Sequence, residues 1–143
     1  MSLEYLHNNG ILHRDVKPEN LIFDHRGKPS AYYSGFLRLT DLGIARLWNP
    51  ENAQDTSGTP GYMAPEVMCR QNHGVAVDYF ATGVIAYECM MGRRPYLGRS
   101  RKEIRDQILA KQVQVKRHEI PEGWSLEAAN FINKVRRSLR SLR

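Results

Sequence analysis

The feature that most constrains this chain is one nearly apolar run of 13 residues, from Tyr79 to Met91. A membrane-spanning helix needs about 20 such residues, so the run predicts a helix buried in a folded core. Asp78 precedes the run and is a suitable N-cap, and Gly92 follows it as a stop signal. We therefore expect the domain to be built around a central helix over residues 79–91.

Composition supports a single packed domain. The chain has 143 residues, of which 41% are hydrophobic and 25% charged, so a core can form and extensive disorder is disfavoured. Cys69 and Cys89 are the only cysteines, too few for a disulfide framework, and we expect both to stay reduced. The N-terminus has no basic segment followed by a long apolar stretch, so we expect an intracellular protein, cytoplasmic or nuclear.

The net charge of +6 is concentrated near the C-terminus. Residues 1–98 hold 9 Lys/Arg and 10 Asp/Glu, whereas residues 99–143 hold 12 and 5. The segment 136–143 is a basic tail with no aromatic residue to stack on bases, which favours a solvated end over a nucleic-acid-binding or membrane-binding surface.

The remaining pattern predicts a mostly α-helical fold with one small β-hairpin. Two short strands are expected at 20–24 and 36–40, separated by a loop rich in Gly, Pro and Ser. Residues 41–66 show little periodicity and predict one long ordered loop, which in a compact domain is usually functional. Further helices are expected at 2–10, after the capping-box sequence at Ser100, and after Ser125.

Three motifs in the order of a protein kinase indicate what the long loop is for. His13-Arg14-Asp15-Val16-Lys17-Pro18-Glu19-Asn20 has the form H-R-D-x-K-x-x-N. Asp41-Leu42-Gly43 follows 21 residues after Asn20, and the segment 58–66 ends in Ala-Pro-Glu. The chain thus resembles the large, C-terminal lobe of AGC-like Ser/Thr protein kinases. The resemblance implies a partial kinase domain over residues 1–135, with the catalytic loop at 13–20, the activation segment at 41–66 and the central helix at 79–91.

Phosphoryl transfer depends mainly on positioning and charge neutralisation, and the motif residues match those tasks. Asp15 matches the carboxylate that orients the substrate hydroxyl and accepts its proton, and Lys17 matches the cation near the transferred phosphate. Asn20 and Asp41 match the two protein ligands of Mg²⁺ in the Mg²⁺–ATP complex. The resemblance also assigns Ile22 to the floor beneath the adenine ring and Thr59 to the group that steadies Asp15 and Lys17.

Substrate preference and activation are also implied. Glu19 and Glu88 match paired glutamates that bind a substrate arginine, which predicts protein substrates with Ser or Thr near Arg, although both residues are also explained as ordinary surface acids. Gly58 and Pro60 belong to the substrate-binding loop. The activation and structural residues of the resemblance are His13, Arg14, Arg46, Asp55, Thr56, Glu66 and Asp78. In the resemblance, Asp78 also ties the central helix to the catalytic-loop backbone. Asp55 falls at the phosphosite as a built-in substitute for phosphate, and a shift of one residue would make Thr56 the phosphosite instead.

The chain departs from the kinase pattern in three places. It has no G-x-G-x-x-G loop and no strand lysine, so we expect the N-terminal lobe to be missing and to be supplied by a partner or by a longer protein. The arginine that pairs with Glu66 is not recognisable, and residues 25–35 form an insertion. The alternative function is therefore a non-catalytic, kinase-like module that binds substrates or partners without turnover.

Overall fold

The computed structural model describes residues 2–24, 36–110 and 113–137. The 25–35 insertion and most of the basic tail lie outside the described residues, as does residue 1. Within the described ranges, none of the helices combines the length and the apolar character needed to cross a membrane.

The fold is mostly α-helical, as predicted, with two small antiparallel sheets in place of the single expected hairpin. In chain order the elements are α1 (Ser2–Asn8), β1 (Ile11–Leu12), β2 (Leu21–Asp24), β3 (Phe36–Leu39), β4 (Arg46–Leu47), α2 (Pro65–Met68), α3 (Ala76–Met91), α4 (Arg101–Ala110) and α5 (Leu126–Arg137). Short 3₁₀ helices occur at Pro18–Asn20 and Arg117–Glu119.

The predicted hairpin is present as the β2–β3 pair, with Leu21 opposite Leu39 and Asp24 opposite Phe36. The second sheet joins β1 to β4, with Ile11 opposite Leu47, and it was not predicted. Strands of two residues carry no readable alternation, so β4 was included in the long loop. Its effect is to fasten the start of residues 41–66 beside the chain that leads into the catalytic loop.

The central helix α3 forms the core, as the apolar run predicts. Val84 is fully buried, and the neighbouring side chains of α3 contribute to two apolar clusters. One cluster includes α2 and α4, and the other includes Ala129 and Ile132 of α5. Burial of apolar surface at about 25 cal/mol per Å² therefore holds the helices together around α3.

The role of Asp78 as N-cap of the central helix is a wrong prediction. The helix begins at Ala76, so Asp78 lies in its first turn, and no cap hydrogen bond is made by the residue before the helix. Asp78 is instead 1% exposed, and its carboxylate is directed toward the segment after β1. A cap and a buried anchor are the same residue type at the same place in the sequence, so the pattern does not separate them.

Capping at the two later helices agrees with the sequence. The Ser100 hydroxyl accepts a hydrogen bond from the Glu103 amide at 3.2 Å, and the Ser125 hydroxyl accepts one from the Ala128 amide at 3.2 Å. α3 ends at Gly92, whose φ of 68° is the left-handed conformation that glycine adopts without strain. The two cysteines are free thiols.

Candidate active site

The buried carboxylate of Asp78 holds the start of the catalytic loop through its backbone amides. Its two oxygens accept hydrogen bonds from the backbone amides of His13 at 2.9 Å and Arg14 at 2.7 Å. The His7 ring nitrogen Nε2 lies 2.8 Å from the same carboxylate. Arg14 has a φ of 70°, an uncommon conformation for a residue with a side chain, and these bonds help to hold it there.

Asp15, Lys17 and Thr59 form one hydrogen-bonded group, although 44 positions separate the first from the last. The Thr59 hydroxyl donates to Asp15 Oδ1 at 2.6 Å, and the Lys17 ammonium donates to Asp15 Oδ2 at 2.7 Å. Lys17 also donates to the Thr59 hydroxyl at 3.1 Å. The Asn20 amide adds a hydrogen bond to the Asp15 backbone carbonyl at 2.8 Å. The Asp15 carboxylate is thereby fixed in one orientation.

These contacts also set the charge state of the group. Burial on its own raises the pKa of Asp15, but hydrogen bonds from Lys17 and Thr59 and the lysine charge outweigh it, so that pKa lies below its ordinary value. The hydrogen bond to Asp15 raises the pKa of Lys17, with further contributions from the charges of Asp15, Glu19 and Asp41. Asp15 is consequently an anion and Lys17 a cation at neutral pH.

The β2–β3 hairpin places Asn20 and Asp41 at the same end of the sheet. The Asn20 carbonyl accepts hydrogen bonds from the amide and the hydroxyl of Thr40 at 2.9 and 3.1 Å, and Asp41 is the next residue. The His13 ring, fully buried, donates from Nε2 to the Thr40 carbonyl at 3.1 Å and so ties the hairpin to the catalytic loop. Ile22 is 52% exposed on the adjacent strand, open to a ligand surface.

The side chains of Asn20 and Asp41 offer oxygen ligands that suit a divalent cation already coordinated by phosphate oxygens. Asp41 is exposed, has a φ of 62°, and accepts one hydrogen bond from the Gly43 amide at 3.0 Å. Amide and carboxylate oxygens are the ligand types that Mg²⁺ takes. No cluster of three or more His, Cys, Asp or Glu side chains suited to a metal occurs in the described ranges, so two protein ligands would need phosphate or water oxygens to complete the shell.

Asp55 lies between two arginines, as its assignment to the phosphosite position predicts. Arg14 Nη1 forms an ion pair with Asp55 Oδ2, and Arg46 Nε lies 3.8 Å from the same oxygen. Burial raises the pKa of Asp55, but the hydrogen bond and charge of Arg14 reverse that effect and leave it below its ordinary value. The remaining oxygen accepts a hydrogen bond from Ser57 at 3.2 Å, a contact that sequence reasoning missed.

Thr56, the competing phosphosite, is held through its backbone. Its carbonyl accepts a hydrogen bond from Arg101 Nη2 of α4 at 2.8 Å. Upstream, the Asn52 side chain pairs with the His73 backbone, accepting from its amide at 2.8 Å and donating to its carbonyl at 2.7 Å. Long-range contacts therefore order the middle of the activation segment.

The substrate loop requires glycine at position 58. Gly58 has a φ of 130°, and a Cβ there would lie 2.8 Å from the Arg14 carbonyl oxygen. Two residues on, Pro60 is partly buried at the start of the turn that leads to Tyr62. The loop thus passes directly over the catalytic-loop backbone.

Tyr62 is hydrogen-bonded to Glu88, one of the two glutamates that were predicted to bind arginine, and sequence reasoning missed this contact. Its hydroxyl donates to Glu88 Oε2 at 2.6 Å. Burial raises the pKa of Tyr62, as do the hydrogen bond to Glu88 and the charges of Glu88 and Glu19, while Arg94 opposes them. The carboxylate of Glu88 is thereby held against the substrate loop.

Glu66 has no arginine partner in the described ranges, although the resemblance pairs this residue with an arginine. Burial raises the pKa of its carboxyl group, and a hydrogen bond from its own backbone amide and the charge of His73 offset this only partly. Leu42, the middle residue of the Asp41-Leu42-Gly43 motif, is 57% exposed. It borders an open cavity of about 460 Å³ that Tyr5, Leu6 and Leu39 also line.

The fixed carboxylate of Asp15 lies beside Lys17 and Asn20, and Asp41 follows the adjacent hairpin. Side chains of these types are the ones that phosphoryl-transfer proteins use for positioning and charge neutralisation. The chain belongs to the protein kinase family, because the model of the protein kinase domain matches residues 1–143.

Its relatives agree with an AGC-like kinase. The chain is 33% identical over 134 residues to a "cAMP-dependent protein kinase, catalytic subunit-like" of Caenorhabditis elegans, covering 94% of this chain and 30% of that protein. It is 34% identical over 128 residues to human "Ribosomal protein S6 kinase alpha-3", covering 88% of this chain and 16% of that protein. A "Probable serine/threonine-protein kinase 2" of Plasmodium falciparum is 38% identical over 104 residues, which make up 73% of this chain and 19% of that protein. The chain thus spans less than a third of the length of these relatives.

Proposed function

We propose that the chain is the C-terminal lobe of a Ser/Thr protein kinase that transfers the γ-phosphoryl group of ATP to Ser or Thr hydroxyls of proteins. The observation that carries this proposal is the hydrogen-bonded group of Asp15, Lys17 and Thr59, with contacts of 2.6–3.1 Å. Two side chains from distant segments, Lys17 and Thr59, converge on the Asp15 carboxylate, a costly arrangement to maintain unless the carboxylate is used.

Asp15 has the properties that a substrate-orienting base needs. It is ionised at neutral pH, and its two oxygens are held by Thr59 and Lys17. The carboxylate accepts the hydrogen bond of the substrate hydroxyl and receives its proton as the new oxygen–phosphorus bond forms and the bond from the γ-phosphorus to the bridging oxygen breaks, with ADP as the leaving group. Lys17 stays protonated and offsets negative charge beside the transferred group, a contribution that needs no movement of the lysine at the moment of reaction.

Asn20 and Asp41 would hold the Mg²⁺ of the Mg²⁺–ATP complex, because the hairpin places them at one end and Asp41 is open to solvent. The bound metal supplies neutralisation of phosphate charge. Ile22, with half of its side chain exposed, offers an apolar surface to the adenine ring.

The acidic neighbourhood of Tyr62 supports a preference for arginine in the substrate. Glu88 is oriented by the Tyr62 hydroxyl, and Glu19 is exposed within the catalytic loop. A guanidinium forms charge-assisted bonds with such carboxylates. The ion pair of Arg14 with Asp55 supports a related proposal, that Asp55 substitutes for an activating phosphate with about one negative charge instead of two.

The test is phosphorylation of an arginine-containing Ser peptide by the chain fused to the N-terminal lobe of a cAMP-dependent protein kinase. We expect Mg²⁺-dependent incorporation of phosphate, and a loss of at least about 100-fold in Asp15→Asn, since positioned acid–base groups contribute on that scale. Asp106→Asn is the matched control, because Asp106 is an exposed aspartate on α4. An inactive fusion, or an Asp15→Asn variant as active as the control, would refute catalysis.

A non-catalytic binding module is the second candidate, favoured by one observation. Phe23, Leu37 and Leu42 are each at least half exposed. Phe23 and Leu37 are opposite each other in the β2–β3 pair, and Leu42 lines the open cavity beside α1. Apolar side chains gathered on one surface are typical of an interaction site. If the fusion transfers no phosphate while the chain still binds Ser peptides, this function replaces the catalytic one.

A further inference from the structure

A resident arginine lies beside Tyr62, whose hydroxyl binds Glu88, one of the two glutamates to which the proposed function assigns the substrate arginine. The guanidinium carbon of Arg94 lies 5.7 Å from the centroid of the Tyr62 ring, within the range of a cation–π contact. The hydroxyl of the same ring donates to Glu88 at 2.6 Å. Arg94 therefore occupies one side of a tyrosine whose other end is part of the acidic site.

The backbone on both sides holds Arg94 in this place. α3 ends at Gly92, whose left-handed φ of 68° turns the chain back toward the substrate loop. Tyr96, two residues after Arg94, is 4% exposed and anchored in the main apolar cluster. Arg94 is thus on a short segment fixed at both ends, and its side chain is partly buried.

The substrate loop makes room for this guanidinium. Gly61 precedes Tyr62, and a Cβ built on Gly61 would overlap Nη1 of Arg94 and lie 3.2 Å from its guanidinium carbon. The φ of Gly61 is not one that demands glycine, so the missing side chain matters here for space. A residue of any other type at position 61 would displace Arg94 from the Tyr62 ring.

We propose that Arg94 is a specificity-determining residue, a built-in cation against the Tyr62 ring that weakens the preference of the Glu19–Glu88 site for arginine in the substrate. The inference rests on the proposed function, since it concerns the same acidic site. A second guanidinium bound between Glu19 and Glu88 must share their field with Arg94, and like charges oppose each other. Specificity is set by such repulsive elements as well as by attractive ones.

The structure offers support from the electrostatics of Tyr62. Burial and the two glutamates raise the pKa of its hydroxyl, and Arg94 is the group that opposes them. The charge of Arg94 is therefore felt at the atom that binds Glu88. Arg93 is adjacent in sequence but exposed, and it provides a matched control of the same residue type.

The test measures binding of paired Ser peptides to the full chain by fluorescence anisotropy. In each pair a single arginine, scanned through the positions before the serine, is replaced by citrulline, which keeps the shape and removes the charge. The arginine preference is the dissociation constant of the citrulline peptide divided by that of the arginine peptide. We expect Arg94→Gln to increase that ratio by about 3- to 10-fold at low salt, and raised salt to diminish the increase. Arg94→Lys, which keeps the charge, and Arg93→Gln should leave the ratio as in the unmodified chain.

Glu88→Gln separates the inference from the function on which it rests. If Glu88→Gln lowers the arginine preference and Arg94→Gln leaves it unchanged or lowers it, the acidic site stands and the role of Arg94 is refuted. If neither substitution changes the preference, the acidic site itself is refuted, and the inference about Arg94 fails with it. An equal effect of Arg93→Gln would also overturn the proposal, because the effect would then reflect net charge alone.

Discussion

Replacement of Asp78 by alanine should destabilise the domain far more than any surface substitution. The carboxylate of Asp78 is 1% exposed and accepts hydrogen bonds from the amides of His13 and Arg14, with His7 as a third neighbour at 2.8 Å. Removing one partner from a buried, hydrogen-bonded charge costs about 3–5 kcal/mol. Much of that cost arises because the two backbone donors are left buried without an acceptor, at about 1–3 kcal/mol each.

That free energy corresponds to a fall of about 6–20 °C in Tm, using about 2–4 °C per kcal/mol for a protein near this size. Unfolding of Asp78→Ala and of the unmodified chain would be followed by circular dichroism, against both temperature and urea. Asp106→Ala is the control, since its carboxylate is exposed and lies 3.4 Å from Arg105, the geometry of a surface pair worth about 1 kcal/mol or less. A loss in Asp78→Ala no larger than that in Asp106→Ala would refute the view that Asp78 anchors the catalytic loop.

Three further predictions follow from buried or strained positions. Glu66→Gln should raise Tm at pH 7, because burial raises the pKa of Glu66 and so penalises its ionised form. The gain in Tm should vanish below pH 4.5, the ordinary pKa of the residue, where the carboxyl group is protonated in both the folded and the unfolded chain. Glu51→Gln, at an exposed site, should show no gain in Tm. Gly58→Ala should cost more than about 3 kcal/mol in urea unfolding, because it adds a clash with backbone to a positive φ; Gly10→Ala, where nothing lies within 4 Å, should cost about 1–2 kcal/mol. Asp55→Asn should lower Tm above pH 3.8, because the pKa of Asp55 is lower in the folded chain and its ionised carboxylate therefore stabilises the fold. This difference in Tm should disappear as the pH falls through that lowered pKa. An equal loss of Tm at every pH would contradict the ion pair with Arg14.

Short sequence motifs were enough to predict in advance which residues the structure brings together around Asp15. Asp15, Lys17 and Asn20 lie within six positions, and their types and spacing are dictated by the chemistry they serve. The partner of Asp15 at Thr59 was reached through the resemblance alone, because 44 positions separate the two residues and no local pattern links them.

Local patterns also located α3, the hairpin and the capped ends of α4 and α5. Each of these depends on periodicity or on a cap within a few residues. The β1–β4 pair was missed because two-residue strands have no period. The cap role of Asp78 was wrong, because a sequence shows residue type and place and not the direction of a side chain. Its tie to the catalytic-loop backbone was reached only through the resemblance.

The contacts of Tyr62 and Arg94 lie beyond what sequence patterns indicate. The hydrogen bond from Tyr62 to Glu88 spans 26 positions, and the stacking of Arg94 spans 32. Both depend on how the turn after α3 approaches the substrate loop, which is a property of the packed structure. Gly61 marks the contact with Arg94 only once the structure is known. Its backbone conformation does not require glycine, and a Cβ there would overlap the guanidinium.

The most direct test of the account is to map where a metal–nucleotide complex binds on this chain. Mn²⁺ takes the same oxygen ligands as Mg²⁺ and broadens the NMR signals of nearby residues, so even weak binding of Mn²⁺–ATP can be located. The account predicts selective broadening of the amides of Asn20, Ile22 and Asp41, which Asp41→Asn abolishes and Asp106→Asn leaves intact. Broadening that is spread over the acidic surface, or that persists unchanged in Asp41→Asn, would contradict the placement of the phosphoryl-transfer site at the end of the hairpin.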